Sequence, residues 1–181
     1  VIDYVIDALL ENGIREIIVV VGYRKEEVVR HLNSLNVPLR VVVQERQLGT
    51  GDALRAAEPE IGDDFLVLPG DNYINAGSIA RIKSVRNAML VAEHPNPSNF
   101  GVVVIRNGIV REMVEKPEDA PTFTVSTGIY SFTPEIFSYI QTNEIPDAVA
   151  AMIAAGRQIR AIPADDWQDA VYPWDLLKLN T

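Results

Sequence analysis

The stretch that most constrains this chain is Phe65 to Asn72, FLVLPGDN, an apolar run that stops at Gly70 and delivers a carboxylate, Asp71, at its end. An unbroken apolar run bounded by turn residues suits a strand buried on both faces, as in a parallel sheet covered by helices. In open sheets of that kind ligands bind in the crevice at the carboxyl ends of the strands, where Asp71 is expected. Gly70 would let backbone or ligand approach closely, and a lone carboxylate beside it can hold a hard cation. The plainer alternative is that Asp71 only caps the following turn.

Helical and strand patterns alternate around that run. Val1 to Asn12 places Ile2, Val5, Ile6, Leu9 and Leu10 on one helical face, with Gly13 as its stop. Ile17 to Val21 reads as a buried strand ending at Gly22, Lys25 to Asn33 as an amphipathic helix, and Leu39 to Val43 as a second buried strand. Gly49 to Ala57 predicts a short helix before Phe65, Ile79 to Arg86 another helix, and Ala88 to Ala92 another strand. The alternation argues for an α/β fold, a Rossmann-like, mostly parallel sheet with right-handed crossovers, flanked by helices.

After Pro97 the rhythm changes to an antiparallel β region. Gly101 to Ile105 and Ile109 to Val114 flank Asn107-Gly108, a strong hairpin signal, and Phe123 to Phe132 adds a strand. Thr133 can cap a helix with Pro134 at its first position, carrying Phe137 and Ile140 inward. Pro146 to Ala155 predicts a helix closed by Gly156, Gln158 to Ile162 a late strand, and Trp174 to Leu179 a last helix opened by Pro173.

Composition excludes several classes. The 181 residues suffice for one large domain, or a domain with a small subdomain, and 48% of them are apolar. No window approaches the apolar length of a membrane span, and no secretory segment is visible, so a soluble cytoplasmic protein is expected. The absence of cysteine rules out disulfides and thiolate metal sites. A formal charge of −9 argues against nucleic acid as a partner. An acidic protein that handles a phosphorylated ligand must bring a cation or a few placed basic residues. The first residue, Val1, opens directly into a helical pattern, which suggests native sequence upstream.

Gln44 closes its strand and begins QERQLGTGDAL, which runs to Leu54. A side-chain amide offers a donor and an acceptor, as the edge of a pyrimidine base requires. Gly49 and Gly51 allow the backbone to approach a flat ligand, and Thr50 can add a hydroxyl or a main-chain contact. The same segment also reads as an ordinary strand-to-helix turn with Thr50 as N-cap. No GxxxxGK phosphate cradle occurs in the chain.

These residues resemble a family, the sugar-1-phosphate nucleotidyltransferases, which join a nucleoside triphosphate to a sugar 1-phosphate and release pyrophosphate. Five motifs stand in the family's order: Gln44 with Leu48-Gly49-Thr50, Gly70-Asp71, Phe100-Gly101, Glu115-Lys116-Pro117, and Thr127-Gly128. WQDAVYPWDLL from Trp167 is similar to a segment of archaeal members, the glucose-1-phosphate thymidylyltransferases and bifunctional sugar-1-phosphate nucleotidylyltransferases. The resemblance implies the nucleotide-diphospho-sugar transferase type of fold in one domain over residues 1–181. Its nucleotide-binding α/β part would span 1–97, and its sugar-binding part with closing helices 98–181.

The resemblance also implies roles. Gln44 and the Gly49-Thr50 backbone would read the base of dTTP or UTP. Asp71 would hold Mg²⁺, with Asp169 as the second metal carboxylate. Gly101 and Glu115 would contact the sugar, Lys116 its phosphate, and Gly128, with Ser126 beside it, the hexose of glucose 1-phosphate or N-acetylglucosamine 1-phosphate. Magnesium takes oxygen ligands and usually only one or two carboxylates, so Asp71 and Asp169 suffice in kind and number. The attacking phosphate is ionised at neutral pH, and neither His31 nor His94 is needed. Many relatives assemble, so a homo-oligomer is compatible with the family.

The sequence departs from the family at its start. The G-x-G-T-R segment and the following P-K motif, which grip the triphosphate, are not in this chain, so either the native protein is longer or the catalytic unit is incomplete. Without the strand preceding that segment the sheet would lack a central member, leaving edges unpaired and apolar surface open to water. Val171 replaces a glycine expected shortly after Asp169, and the loop around Gln141 to Ile145 is shorter than usual. A second reading is a noncatalytic nucleotide-sugar sensor or regulatory subunit of the same fold. A third, a glycosyltransferase, ranks last because Asp71 is followed by Asn72 and Tyr73 rather than by the Asp-x-Asp such enzymes use.

Overall fold

The computed structural model describes residues 1–169, with Asp169 represented by its backbone. The helix expected after Pro173, with Trp174, and the substitution at Val171 lie outside the described residues. In chain order the elements are α1 (Ile2–Glu11), β1 (Ile17–Val21), α2 (Lys25–Ser34), β2 (Leu39–Val43), α3 (Thr50–Ala57), β3 (Phe65–Val67), β4 (Asn72–Tyr73) and α4 (Ala76–Ile82). There follow β5 (Ala88–Glu93), β6 (Gly101–Arg106), β7 (Ile109–Glu115), β8 (Thr124–Phe132), α5 (Ile145–Ala154), β9 (Arg160–Pro163) and β10 (Gln168–Asp169). No described helix is long and apolar enough to cross a membrane.

Local chemistry sets several boundaries. Gly13, at φ +75°, donates to Leu10 O while Ile14 donates to Leu9 O, a paired closure that satisfies the last carbonyls of α1. Gly156, at φ +81°, ends α5 in the same way, with Arg157 donating to Met152 O. Asn107 and Gly108 both take positive φ and turn β6 into β7, as the dipeptide requires. Asn75 accepts from Ser78 N–H and caps α4, which starts three residues earlier than the apolar periodicity suggests. The segment opened by Thr133 and Pro134 is a 3₁₀ helix, Pro134–Tyr139, in which Thr133 makes no side-chain cap and Ile136 and Ile140 are the buried members.

The strands form a six-stranded sheet in the order β3-β8-β5-β9-β7-β6, and single pairings of β6 with β8 and of β7 with β9 curl it toward closure. Beta5 runs parallel to β9 and antiparallel to β8, so pairing crosses residue 97. Beta1 and β2 make a separate parallel pair. One apolar cluster, including Met89, Phe132, Ile136 and Met152, fills the space under α5. A second, including Leu9, Ile79, Ile82 and Leu90, packs α1 and α4 onto β5 and β1. Ile79 and Ile82 are fully buried, and each contributes about 1.5–3 kcal/mol relative to exposure.

Two strand expectations are corrected. The run at Phe65 gives a three-residue strand, half-buried and antiparallel to β8, rather than a strand buried on both faces in a parallel sheet. Beta2 is largely exposed at Arg40, Val41 and Val43, because β1 is its one ladder partner among the described residues. The edges of β1 and β3 that carry no ladder line one cavity of about 1550 Å³, which touches Ile17 to Val20 on one side and Phe65 to Asp71 on the other.

Candidate active site

Gln44 follows β2 directly, its backbone N–H donating to Val21 O, so the end of the β1–β2 pair fixes where its side chain emerges. Its Nε2 donates to Gly49 O at 3.1 Å and to Asp52 Oδ2 at 2.8 Å. Gln44, Asp52 and Arg55 line a small hollow of about 380 Å³.

Alpha3 begins at Thr50 with Gly49 as its N-cap at φ +141°, a conformation closed to other residues. A Cβ on Gly49 would stand 2.4 Å from both Asn143 O and a Glu144 carboxylate oxygen, so this junction demands glycine twice over. The expectation that Thr50 caps its own helix is corrected. Thr50 is already helical, and its N–H and Oγ1 both donate to Glu144 Oε2, the hydroxyl at 2.7 Å. Thr50 Oγ1 in turn accepts from Ile145 N–H, and Asn143 O accepts from Gly51 N–H at 2.6 Å. Glu144 thus stands at the start of α5 while its carboxylate serves the start of α3, where a negative charge is favoured. Sequence reasoning missed Glu144 and Asn143. The one local signal was an acidic residue just before the helix-opening Ile145-Pro146.

The large cavity brings together Thr50, Asp71, Gly101, Glu115, Lys116, Ser126 and Gly128 from among the residues singled out in the sequence. Gln44 opens onto the smaller hollow instead, and Gly49 lines neither, standing in the chain between Leu48 of the hollow and Thr50 of the large cavity. Asp71 is exposed and follows β3 by way of Pro69-Gly70. Gly70 is not sterically required, since a Cβ there would meet only Ile2 atoms, the nearest at 3.7 Å.

At two other positions of the cavity glycine is required. A Cβ on Gly101 would lie 2.7 Å from Met113 Cε and 3.1 Å from Glu115 Oε2, and one on Gly128, at φ +76°, 2.9 Å from Pro69 Cγ. Gly128 N–H donates to Ser126 Oγ at 3.2 Å, and Ser126 Oγ shares a 3.1 Å hydrogen bond with the Tyr130 hydroxyl. Burial pushes the Tyr130 phenol up to about 12, the Ser126 hydrogen bond opposes this, and the Glu115 charge adds to it. The phenol therefore stays neutral and can donate at any physiological pH. Lys116 takes φ +44° and its ammonium lies 3.7 Å from Glu115 Oε1. Both side chains are substantially exposed, so the pair itself contributes little and leaves the ammonium open to an anion.

The chain near Asp169 is anchored by α4. Ser78, fully buried, accepts from Asp165 N–H at 2.9 Å, and Arg81 reaches Asp165 Oδ2 at 2.6 Å and Pro163 O at 2.9 Å. Asn75 donates to Asp166 Oδ2 at 3.3 Å. The neighbouring carboxylates are thereby engaged before β10 brings the Asp169 backbone opposite Asn72, next to Asp71 in sequence. Trp167 stacks edge-on with Phe100 and His94 and serves as packing, while His31 pairs with Asp3 at the surface.

A divalent cation fits the donor set. Asp71 makes no hydrogen bond or ion pair among the described residues and faces the cavity, offering hard oxygen. No group of three or more acidic or histidine side chains gathers among the described residues, and magnesium bound with substrate phosphates does not need one.

An α/β fold whose cavity is lined by Gly70, Gly101 and Gly128 together with the Asp71 carboxylate and the Lys116 ammonium has the groups expected of a class that handles phosphorylated ligands. The sequence model of the nucleotidyl transferase family matches residues 1–180, and the chain belongs to that family. It is similar to the UTP–glucose-1-phosphate uridylyltransferase AglF of Haloferax volcanii, 36% identical over 97% of this chain and 80% of that protein. It is also similar to the bifunctional protein GlmU of Methanococcus maripaludis, 32% identical over 100% of this chain but only 46% of that longer protein. Among solved structures, a UDP-glucose pyrophosphorylase complexed with UDP-glucose superposes with a TM-score of 0.83 at 22% identity, over 98% of this chain and 83% of that one. The inositol-1-phosphate CTP transferase of T. maritima gives 0.81 at 16% identity, over 96% and 77%. These structural likenesses bear on the fold.

Proposed function

We propose that this chain makes a nucleotide sugar and pyrophosphate from a nucleoside triphosphate, UTP or dTTP, and a sugar 1-phosphate, glucose 1-phosphate or N-acetylglucosamine 1-phosphate. The supporting observation is the single cavity whose lining includes Asp71, Gly101, Glu115, Lys116, Ser126 and Gly128. A sugar-phosphate oxygen attacks the α-phosphorus, the bond to the β-phosphate oxygen breaks in line, and pyrophosphate leaves with the electron pair. No proton transfer is required, so the cavity's carboxylates are free to bind rather than to act as bases. The catalytic work is alignment of two polyanions and relief of their repulsion.

Lys116 holds the sugar phosphate, and Glu115 accepts from sugar hydroxyls. Ser126 and the Gly128 backbone border the hexose, and the narrow space over Gly101 keeps the ring against β6. Gln44 and the backbone at Gly49 read the base, with Thr50 positioning that junction. Asp71 and Asp169 would hold Mg²⁺, which supplies charge neutralisation at the phosphates. A homo-oligomer and a cytoplasmic setting complete the proposal.

The test is pyrophosphate release with a panel of triphosphates and sugar 1-phosphates. Turnover restricted to uridine or thymidine triphosphate is the expected result. No turnover with any pair, alongside measurable nucleotide-sugar binding, would replace it with the noncatalytic sensor.

A further inference from the structure

The hydrogen bonds around Gln44 decide which half of its amide faces a ligand, and the residue that decides it is Asp52. Gln44 Nε2 donates to Gly49 O at 3.1 Å and to Asp52 Oδ2 at 2.8 Å, so both amide protons are committed to acceptors inside the protein. Neither contact tolerates the flipped amide, which would set a carbonyl oxygen against a carbonyl and a carboxylate. Gln44 Oε1 is left with no partner among the described residues. The nearby backbone donors are equally sorted. Thr50 N–H is taken by Glu144 and the Gly51 and Asp52 N–H groups by Asn143 O, whereas Gly49 N–H has no partner among the described residues.

Among the described residues Gln44 Oε1 is thus an acceptor and Gly49 N–H a donor without a partner, five positions apart on the same turn. That order matches a ring N–H flanked by a carbonyl, the edge shared by uracil and thymine. Cytosine offers an acceptor at the ring nitrogen and an amino group beside it, the reverse pattern, and adenine does the same. We propose that Asp52 is the specificity-determining residue of the base slot: by pinning the Gln44 amide nitrogen it sets an acceptor toward the ligand and excludes cytosine and adenine. The inference rests on the reading of Gln44 as the base reader. It adds a residue whose contact is with Gln44, so Asp52 acts as a positioning residue and not as a ligand itself.

The experiment measures the ratio of kcat/KM for UTP to that for CTP, with glucose 1-phosphate, in the parent protein and in Asp52→Ala, Asp52→Asn and Gln44→Ala. Because both triphosphates are read on one preparation, the ratio does not depend on how much of a variant folds. Where a variant turns over too slowly, the ratio of UDP to CDP association constants by calorimetry replaces it. Asp52→Ala removes the shorter, charged contact that holds Nε2 and leaves only Gly49 O to oppose a flip, so the flipped amide becomes populated and the ratio falls by about tenfold, the order of one misplaced hydrogen bond. Asp52→Asn keeps an acceptor for Nε2 and holds the ratio near the parent's. A ratio unchanged in Asp52→Ala but lowered in Gln44→Ala overturns the role of Asp52 and leaves the base slot standing. A ratio unchanged in both overturns the base slot itself and the inference with it.

Discussion

Asn72 and Asp169 face each other across the two-residue antiparallel ladder of β4 and β10, although 97 positions separate them in the chain. Asn72 is buried and donates to Thr127 O at 2.8 Å, so the ladder is fixed from below by β8. The arrangement seats Asp71 beside β4 and ties the segment carrying Asp169 to the same floor. Its outer support comes from α4, through Ser78 and Arg81.

Arg81→Ala removes the guanidinium contacts to Asp165 and Pro163. If Asp169 holds Mg²⁺ as proposed, loosening the segment that carries it should raise the Mg²⁺ concentration for half-maximal rate, by about tenfold at most because Arg81 does not contact that carboxylate. The UTP to CTP ratio should not move. A rise in both, or in neither, would detach this clamp from the metal.

Gly128→Ala places a methyl 2.9 Å from Pro69 Cγ at φ +76°. Left-handed backbone costs an L residue about 1–2 kcal/mol before the clash is counted. For a chain of this length that lowers Tm by roughly 2–8 °C, and KM for the sugar phosphate should rise with it. Gly156→Ala, at similar φ with open space around its Cβ, should cost stability without affecting that KM.

Tyr130 supplies a pH prediction whose sign follows from its shift. The folded phenol titrates near 12 and the unfolded one near 10, so the unfolded chain loses its proton first as pH rises. The stability associated with the neutral buried phenol is therefore complete below pH 10 and disappears between 10 and about 12. Tyr130→Phe should abolish that part of the alkaline destabilisation, on the order of 2 kcal/mol, in denaturant titrations across this range.

Glu144→Ala strips the carboxylate from Thr50 and from the head of α3. Loss of a helix cap costs about 1 kcal/mol, which chemical denaturation would register. If the same contact seats the base-reading backbone, KM for UTP rises while KM for the sugar phosphate stays constant. Equal changes in both would assign Glu144 to stability alone.

What the sequence made legible was largely what is decided within a few residues. Gly13 and Gly156 close helices, and Asn107-Gly108 turns a hairpin, because each needs a positive φ that only local identity supplies. The ordered motifs marked Asp71, Gly101, Glu115, Lys116, Ser126 and Gly128, and these do share one cavity. Long-range partners were not legible. Nothing near Thr50 announces Glu144, 94 residues away, and nothing in the apolar run at Phe65 distinguishes an antiparallel neighbour from a parallel one. The exposure of β2 escaped for the same reason, since Val41 and Val43 have the composition of a buried strand and only its place at the margin of the β1–β2 pair leaves them outside.

The β1–β2 pair and the six-stranded sheet exchange no ladder hydrogen bonds among the described residues, yet Gln44 springs from the first and Gly128 from the second. A molecule that touches both would tie the two sheets together through its own contacts, so slowed amide exchange around Gln44 and Gly128 should accompany its binding.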